Sequence, residues 1–228
     1  MKKLICGIEV DVIRRNVKSI RIKVDREGQV SLVIPNRCSE GAGVDFFIAK
    51  IDWVKTKLCE KPTKRKISIK NGEIVYIMGN AYMVSIVGAR ANKSLLVGNE
   101  IVFYAKKTDC DSLKAQYEKF LKEILILKAK EYFAKWEKIT GLKSTSLTIR
   151  KTVSRWGSCN SFTGAINLSL YLACLPEFCL DYVVLHELCH LKYANHGEYF
   201  KRELDKYMPN WKQVRKFLKE KSNIYLYK

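Results

Sequence analysis

The stretch His186-Glu187-Leu188-Cys189-His190, followed six residues later by His196, decides the interpretation of this chain. On a helix, residues 186 and 190 are about 40° apart and about 6 Å apart along the axis, so both imidazoles leave the same face. This spacing suits two nitrogen ligands of one Zn²⁺ ion at about 2.0–2.1 Å. Glu187 can reach a water molecule at the metal without binding the metal itself. The pattern is the H-E-x-x-H signature, in which the glutamate is the general base of a zinc hydrolase.

The histidines of the chain are confined to this region. The 228 residues include three His, and all of them fall in one eleven-residue window. His196 is about 600° of helical rotation beyond His190, so an uninterrupted helix cannot return it to the same face. The helix must therefore end, and Asn195 and Gly197, which tolerate left-handed backbone, are suited to form the turn. A helical histidine is often only a polar residue at a helix edge, but this clustering favours three ligands to one Zn²⁺ ion.

Length and composition indicate a globular chain with room for real cores. No apolar run approaches the about 18 residues of a membrane-spanning helix. The N-terminal residues Met1–Glu9 reach an acidic residue too early for the apolar region of a signal peptide. The eight cysteines include no C-x-x-C pair. We therefore expect a cytoplasmic protein with free, mostly buried thiols, and Cys189 is expected in the core rather than at the metal.

The net charge of +19 has two explanations. It can indicate a polyanionic partner such as nucleic acid or nucleotide phosphates, or it can reflect a lysine-rich, well-solvated surface. The basic residues are spread along the chain, with one cluster at Lys61–Lys66 that lacks the interleaved aromatics of a single-strand binder. The pattern favours the solvated surface and leaves association with nucleic acid through the basic surface open.

Residues 1–107 are predicted to form a β-rich N-terminal subdomain with one helix. Strands are predicted over 3–34, where alternating apolar residues indicate a hairpin over 20–34 closed by Pro35, and Ser39 is placed to cap a helix over 40–60. Five short strands bounded by glycine and asparagine follow. They are Ile67–Lys70, Glu73–Met78, Tyr82–Val87, Ser94–Val97 and Ile101–Tyr104. This half contains no histidine and indicates no chemistry of its own.

Residues 108–228 are predicted to form the metal-binding catalytic domain, which makes the fold class α+β. Its elements are a long helix, a β-hairpin, the H-E-x-x-H helix and two C-terminal helices. They cover 111–139, 145–170, the residues from Pro176 to His190, 198–208 and 211–221. The hairpin arms are predicted as Leu147–Val153 and Ala165–Leu170.

The polar stretch Ser154–Asn160 between these arms contains Arg155 and Trp156. An arginine beside a tryptophan can be structural, with the guanidinium stacked on the indole, or it can hold a carbonyl or phosphate of a substrate. Strands beside a zinc helix also commonly offer a free edge that binds an extended peptide through main-chain hydrogen bonds.

With Ser154–Cys159, Asn167, Asp181–His190, His196 and Phe200, the chain resembles the YgjP-like (WLM/SprT-related) metal-dependent hydrolases. These are minimal zincins of the gluzincin kind, and the resemblance is most specific over 150–211. It implies a zinc protein with ligands His186, His190 and His196, a catalytic Glu187, and a cleft lined by Arg155–Cys159. Relatives in the wider group are proteases, some acting on DNA-crosslinked proteins, while some YgjP-like members are described as nucleotide pyrophosphatases. Tyr193 stands where the metzincin pattern carries glycine.

Three functions follow from these observations. The first is a zinc metallopeptidase in which metal-activated water attacks the peptide carbonyl and Glu187 transfers the proton to the leaving amine. The alternative is a metal-dependent nucleotide pyrophosphatase, which the basic charge favours although no G-x-x-x-x-G-K loop is present. The third is a zinc-stabilised nucleic-acid-binding module, which normally needs a fourth Cys or His ligand. Tentative substrate-binding residues are Arg155, Trp156, Asn167, Tyr193 and Tyr199.

Overall fold

The computed structural model describes residues 2–25, 28–59 and 69–226. The chain forms two compact units, Met1–Arg65 and Lys66–Lys228. The predicted α+β class is confirmed, with strands concentrated in the first half and helices in the second. Among the described residues, no helix has both the length and the apolar character needed to cross a lipid bilayer. The basic cluster Lys61–Lys66 and the start of the predicted strand Ile67–Lys70 lie outside the described residues.

The first unit is a four-stranded sheet followed by two helices. These elements are β1 (Lys2–Ile5), β2 (Ile8–Arg15), β3 (Arg21–Val24), β4 (Val30–Pro35), α1 (Glu40–Ala49) and α2 (Ile51–Cys59). The strand order is β1-β2-β4-β3, with β3 and β4 antiparallel as the alternation predicted and β2 parallel to β4. Leu32 and Ile34 of β4 pack with Phe47 and Val54 of the helices to form the core of this unit.

The single helix predicted over 40–60 is two helices that meet at Lys50. Ser39 caps the first one as predicted, since its hydroxyl accepts the N–H of Ala42 at 3.2 Å. At the other end, the N–H of Lys50 donates to the carbonyl of Phe47 at 3.0 Å, a three-residue bond that tightens and ends the last turn. Apolar residues continue at helical spacing through this break, so the periodicity alone could not locate it.

The second unit opens with another four-stranded sheet, and a long helix packs against it. These elements are β5 (Ile74–Ile77), β6 (Asn80–Gly88), β7 (Lys93–Val97), β8 (Glu100–Ala105) and α3 (Cys110–Thr140). The strand order is β5-β6-β8-β7, and β6 is parallel to β8. Asp109 caps α3 and Gly141 ends it in a left-handed conformation, in agreement with the predicted helix ends.

The structure divides the chain between Arg65 and Lys66, so the predicted boundary between 107 and 108 falls inside the second unit. Val84, Ile101 and Phe103 of this sheet share one hydrophobic core with α3 and the helices that follow it. Gln116 also links α3 to the sheet by hydrogen bonds, since its side-chain amide donates to the carbonyls of Lys93 and Tyr104 at 2.9 and 3.0 Å. The change from strands to helices at 107 therefore marks the end of a sheet and not the end of a core.

A third, three-stranded sheet replaces the hairpin predicted over 145–170. Its strands are β9 (Ser146–Arg150), β10 (Gly157–Asn160) and β11 (Ala165–Ser169), in the order β10-β11-β9. The two predicted arms pair in parallel, and the hairpin is made by β10 and β11. Alternation of apolar residues carries no information about strand direction. The sequence also did not predict β10, because its residues are mostly polar and lack that alternation.

The metal-binding segment follows a short 3-10 helix, Leu170–Cys174, and lies among the last helices. These are α4 (Glu177–Cys189), α5 (Glu198–Tyr207), α6 (Trp211–Glu220) and α7 (Ser222–Leu226). Asp181 of α4 accepts hydrogen bonds from the indole of Trp136 at 2.6 Å and from Lys135 at 3.0 Å, both on α3. These contacts and the buried apolar face of α4 fix the helix against the core of the unit.

The turn between β5 and β6 packs directly against the residue that precedes α4. Met78 and Gly79 both have positive φ, 48° and 82°, as in the two-residue turns that join antiparallel strands. Their N–H groups donate to the carbonyls of Ala173 and Cys174 at 2.7 and 3.2 Å. A Cβ at position 79 would lie 2.8 Å from the Cα of Pro176, so only glycine fits here.

We expect Gly79→Ala to destabilise the protein more than Gly72→Ala. Gly72 has nearly the same φ, 81°, but a Cβ there meets nothing within 4 Å. Both variants therefore lose the same free energy of unfolding from placing alanine in a left-handed conformation. Gly79→Ala loses about 1–3 kcal/mol more, because its Cβ overpacks against Pro176. Urea unfolding of the two variants measures this difference, and equal losses would contradict the contact.

Candidate metal centre

Helix α4 carries the first two histidines, and the turn after it carries the third. The helix ends at Cys189, His190 is its C-cap, and the N–H of His190 donates to the carbonyl of Glu187 at 3.2 Å. The chain then reverses before α5, where the side-chain oxygen of Asn195 accepts the N–H of Gly197 at 3.0 Å. The predicted interruption is therefore present, but neither Asn195 nor Gly197 has a positive φ. A side-chain hydrogen bond takes the place of the expected left-handed residue.

The turn brings His186, His190 and His196 together. One ring nitrogen from each lies within 4.8 Å of the others, and the Nε2 atoms of His186 and His196 are 3.0 Å apart. Zinc with ligand bonds of about 2.0–2.1 Å in tetrahedral geometry separates its nitrogens by about 3.3 Å. The cluster is close to the size that the ion requires, so these three imidazoles fit zinc.

Two of the rings are oriented by groups that contact their Nδ1 atoms. The Nδ1 of His190 is 2.9 Å from the main-chain carbonyl of Tyr193, and the Nδ1 of His186 is 3.2 Å from the hydroxyl of Tyr182. A carbonyl can only accept, so His190 carries its proton on Nδ1 and leaves the lone pair on Nε2. Such contacts are typical of metal-binding histidines.

Phe200 of α5 closes the inner side of the cluster. Its ring centroid is 4.9, 4.7 and 4.9 Å from those of His186, His190 and His196, and its side chain is buried. The imidazoles therefore have one apolar wall, which restricts their rotation and excludes water from that side.

The environment favours the neutral form of two of the imidazoles, those of His186 and His196. Burial lowers the pKa of His186 to about 3, and the positive charges of His190, His196 and Arg215 act in the same direction. Burial also lowers the pKa of His196. The neutral imidazole is the form that binds a metal ion, so His186 and His196 need not lose a proton before binding at pH 7.

Glu187 lies beside the cluster, with its side chain 5 % exposed. Burial raises the pKa of Glu187 to about 8, and the guanidinium of Arg155 opposes this shift. Gly157 of β10 lies directly against the carboxylate, since a Cβ at this position would be 2.5 Å from Oε1. The absence of a side chain at 157 is therefore what allows β10 and the Glu187 carboxylate to approach so closely.

A cavity of about 400 Å³ opens over the histidines and Glu187. Arg155 lines this cavity, as do Gly157, Ser158 and Cys159, which agrees with the cleft that the resemblance implied. Asn167 lies in an adjoining cavity, and its side-chain amide donates to the hydroxyl of Ser158 at 3.4 Å.

The remaining predicted substrate residues lie elsewhere. Trp156 is half-buried against the core, and neither it nor Tyr193 or Tyr199 lines the histidine cavity. The hydroxyl of Tyr193 donates to Glu203 at 3.4 Å, while its main-chain carbonyl contacts His190. Tyr199 is exposed and stacks on Tyr193 with ring centroids 6.5 Å apart.

Cys189 is fully buried, as expected, and burial raises the pKa of its thiol to about 12. It is not one of the residues whose ligand atoms converge in the cluster. The described cysteine side chains are free thiols, but the prediction that most are buried is wrong, since only three of these seven are buried and Cys6 and Cys110 are exposed.

Sequence reasoning assigned no site role to Tyr182 or Arg215. Tyr182 lies four residues before His186, on the same helical face, and this spacing is the signal that could have found it. Arg215 lies on α6, far along the chain, and its charge acts on both His186 and His196. No spacing rule could have placed Arg215 here, since the contact between α4 and α6 is tertiary.

Comparison with known proteins identifies a family for this chain. The sequence model of the family described as YgjP-like, metallopeptidase domain, matches residues 18–221. No curated protein matches the chain. Two metallopeptidase zymogens of known structure are similar to parts of it. Abylysin of Pyrococcus abyssi is 25% identical with a TM-score of 0.37, over 40% of this chain and 94% of that one. Jannalysin of Methanocaldococcus jannaschii is 24% identical with a TM-score of 0.38, over 41% and 89%. Because the family match spans most of its length, the chain belongs to the YgjP-like metallopeptidase domain family.

Proposed function

We propose that this protein is a zinc-dependent peptidase that holds one Zn²⁺ ion on His186, His190 and His196 and uses Glu187 as its general base. The observation that carries the proposal is the convergence of three imidazole nitrogens beside a buried carboxylate, at the floor of an open cavity. A purely structural zinc site usually has four protein ligands, whereas this chain contains no further histidine and Cys189 is buried apart from the cluster. Zinc in a three-ligand site supplies a Lewis acid that acidifies water and polarises a carbonyl oxygen.

Glu187 carries the proton in this mechanism. Its carboxylate accepts a proton from the attacking water and then donates it to the amine that leaves when the peptide bond breaks. Burial alone holds the pKa of Glu187 high, at about 8. The positive charge of an ion held by the neighbouring histidines would lower this pKa toward 7, where a general base is most effective.

The substrate would bind as an extended peptide along β10. Among the described strands β10 pairs only with β11, and its residues Gly157 and Ser158 line the cavity. An extended peptide can therefore add to the outer edge of β10 by main-chain hydrogen bonds and pass over Glu187. Arg155 and Asn167 would contact substrate side chains, while Tyr193 would act by orienting His190 through its carbonyl.

We expect Glu187→Gln to retain one zinc ion per chain and to lose turnover by about 10²–10⁴-fold, because the amide cannot accept the proton. The measurement is cleavage of a mixed peptide library by zinc-loaded protein, beside the zinc content of each variant. Nucleoside triphosphates are tested in parallel. Full activity in the variant would remove Glu187 from the mechanism, and hydrolysis of nucleotides in place of peptides would reassign the reaction to phosphoanhydrides.

Tyr182→Phe should weaken zinc binding by about 10–100-fold, because it removes the contact that orients His186. Tyr193→Phe is the matched control, since the contact to His190 comes from the main-chain carbonyl and survives the change. Competition with a chromophoric chelator measures both affinities. Equal affinities in the two variants would show that the Tyr182 hydroxyl does not support the metal centre.

Gly157→Ala should lower kcat by at least about tenfold with zinc content unchanged, because its Cβ would displace the carboxylate of Glu187. The control is the double variant with Glu187→Gln. If position 157 acts through the carboxylate, adding Gly157→Ala to Glu187→Gln lowers the residual activity no further. Independent, additive losses would contradict this role.

A further inference from the structure

We propose that Arg150, Arg155, Ser158 and Asn167 form a subsite that binds a carboxylate of the peptide substrate next to the bond being cleaved. The inference deepens the proposed peptidase function and rests on it. The subsite is a cavity of about 300 Å³ that adjoins the histidine cavity. The two cavities share Arg155, Gly157 and Ser158 as walls, so a ligand in one is continuous with a ligand in the other.

The register of the third sheet determines which side chains face this subsite. Ser158 of β10 is opposite Asn167 of β11, which is opposite Thr148 of β9. The alternate residues Ile166 and Leu168 are 1 % exposed and face the core. Because side chains alternate along a strand, Ser158, Asn167 and Thr148 share the outer face. Arg150, two residues after Thr148, lies on that face too.

The segment that joins the two arginines is held at several points by hydrogen bonds. Ser169 is fully buried, and its hydroxyl donates to the carbonyl of Thr152 at 2.6 Å. Its N–H donates to the carbonyl of Trp156 at 2.8 Å. The hydroxyl of Thr152 in turn donates to the carbonyl of Arg155 at 3.3 Å. The backbone that carries both arginines is therefore positioned before a ligand arrives, which reduces the entropy lost on binding.

The charges of this subsite are unbalanced. Both arginines are exposed, and no described carboxylate lies within ion-pair distance of either guanidinium. Glu187 is the one acidic side chain among the described residues that line the two cavities. Guanidinium groups bind carboxylates through two parallel hydrogen bonds, and the hydroxyl of Ser158 offers another donor. The chemistry of the subsite therefore selects an acidic ligand and disfavours a basic one.

The geometry of the edge strand links this subsite to the reaction. A peptide added beside β10 would alternate its side chains between the two faces of the sheet. Residues on the inner side would approach Glu187, as Gly157 does. Residues on the outer side would enter the cavity with Arg150 and Asn167. The carboxylate that binds there is the side chain of an Asp or Glu near the cleaved bond, or the C-terminal carboxylate of a short peptide.

The test uses ten-residue peptides in which one Glu, Gln or Lys is moved through every position, each with a free or an amidated C-terminus. For zinc-loaded protein we expect one position at which Glu raises kcat/KM about tenfold over Gln, mainly through KM, with Lys the poorest. Retention of the preference in amidated peptides assigns it to the side chain, and its loss assigns it to the C-terminus. Absence of any preference among cleaved peptides would overturn the subsite and leave the peptidase function standing.

Arg150→Ala is the most direct variant, because Arg150 lines the second cavity but not the histidine cavity. We expect it to abolish the preference for Glu by raising the KM of Glu peptides to that of Gln peptides, while Arg150→Glu reverses the preference toward Lys. Arg90→Ala is the control, since Arg90 is an exposed arginine of the same unit that lines neither cavity. If Arg90→Ala weakened the preference for Glu equally, the preference would come from the net charge of the protein and not from the subsite.

Binding of the same peptides to zinc-loaded Glu187→Gln, followed by fluorescence anisotropy, separates the two proposals. If no peptide is cleaved by the wild-type protein but Glu peptides bind about tenfold more tightly than Gln peptides in an Arg150-dependent manner, the subsite stands and the peptidase function fails. If binding shows no dependence on the acidic residue, the subsite is overturned whatever the activity.

Discussion

The early end of helix α4 is the constraint on which the metal centre depends. Had the helix continued past His190, His196 would point about 240° away from the first two histidines. The last turn instead tightens through three-residue hydrogen bonds, and the chain reverses between Tyr193 and Gly197. The carbonyl of Tyr193, no longer part of a helix, is then free to accept the Nδ1 proton of His190. The break that brings the third histidine into place therefore also orients the second.

One short strand, β10, connects the metal centre to the substrate side of the molecule. On its inner face Gly157 contacts the carboxylate of Glu187, and on its outer face Ser158 contacts Asn167. Its outer edge has no partner among the described strands. This strand therefore lies against the carboxylate of Glu187 and also forms part of the wall of the histidine cavity. Burial of Glu187 under this strand is also what raises its pKa.

Local electrostatics explain how a strongly basic chain can still offer a site for a cation. A divalent ion would be repelled by the net charge of +19, and Arg155 and Arg215 are close enough to act on the site residues. The cluster counters this repulsion locally, because the imidazole of His186 stays neutral and offers a lone pair, and because Glu187 lies beside it.

The sequence by itself singled out the three histidines and the glutamate of the candidate metal centre and located most of the elements. His186 and His190 could be paired because helical geometry is local, and Ser39 marked the start of a helix for the same reason. The strands of the second sheet were likewise found from their glycine and asparagine turns.

Tertiary structure decided what local rules cannot express. The direction of β9 relative to β11, the shared core of the second unit, and the approach of Gly157 to Glu187 all join residues far apart in the chain. The segment that carries Arg150 and Arg155 is likewise fixed by hydrogen bonds from Ser169, which lies on another strand. Periodicity and spacing report which face of an element is apolar, but strand pairing and close packing depend on contacts between elements, and those exist only once the chain has folded.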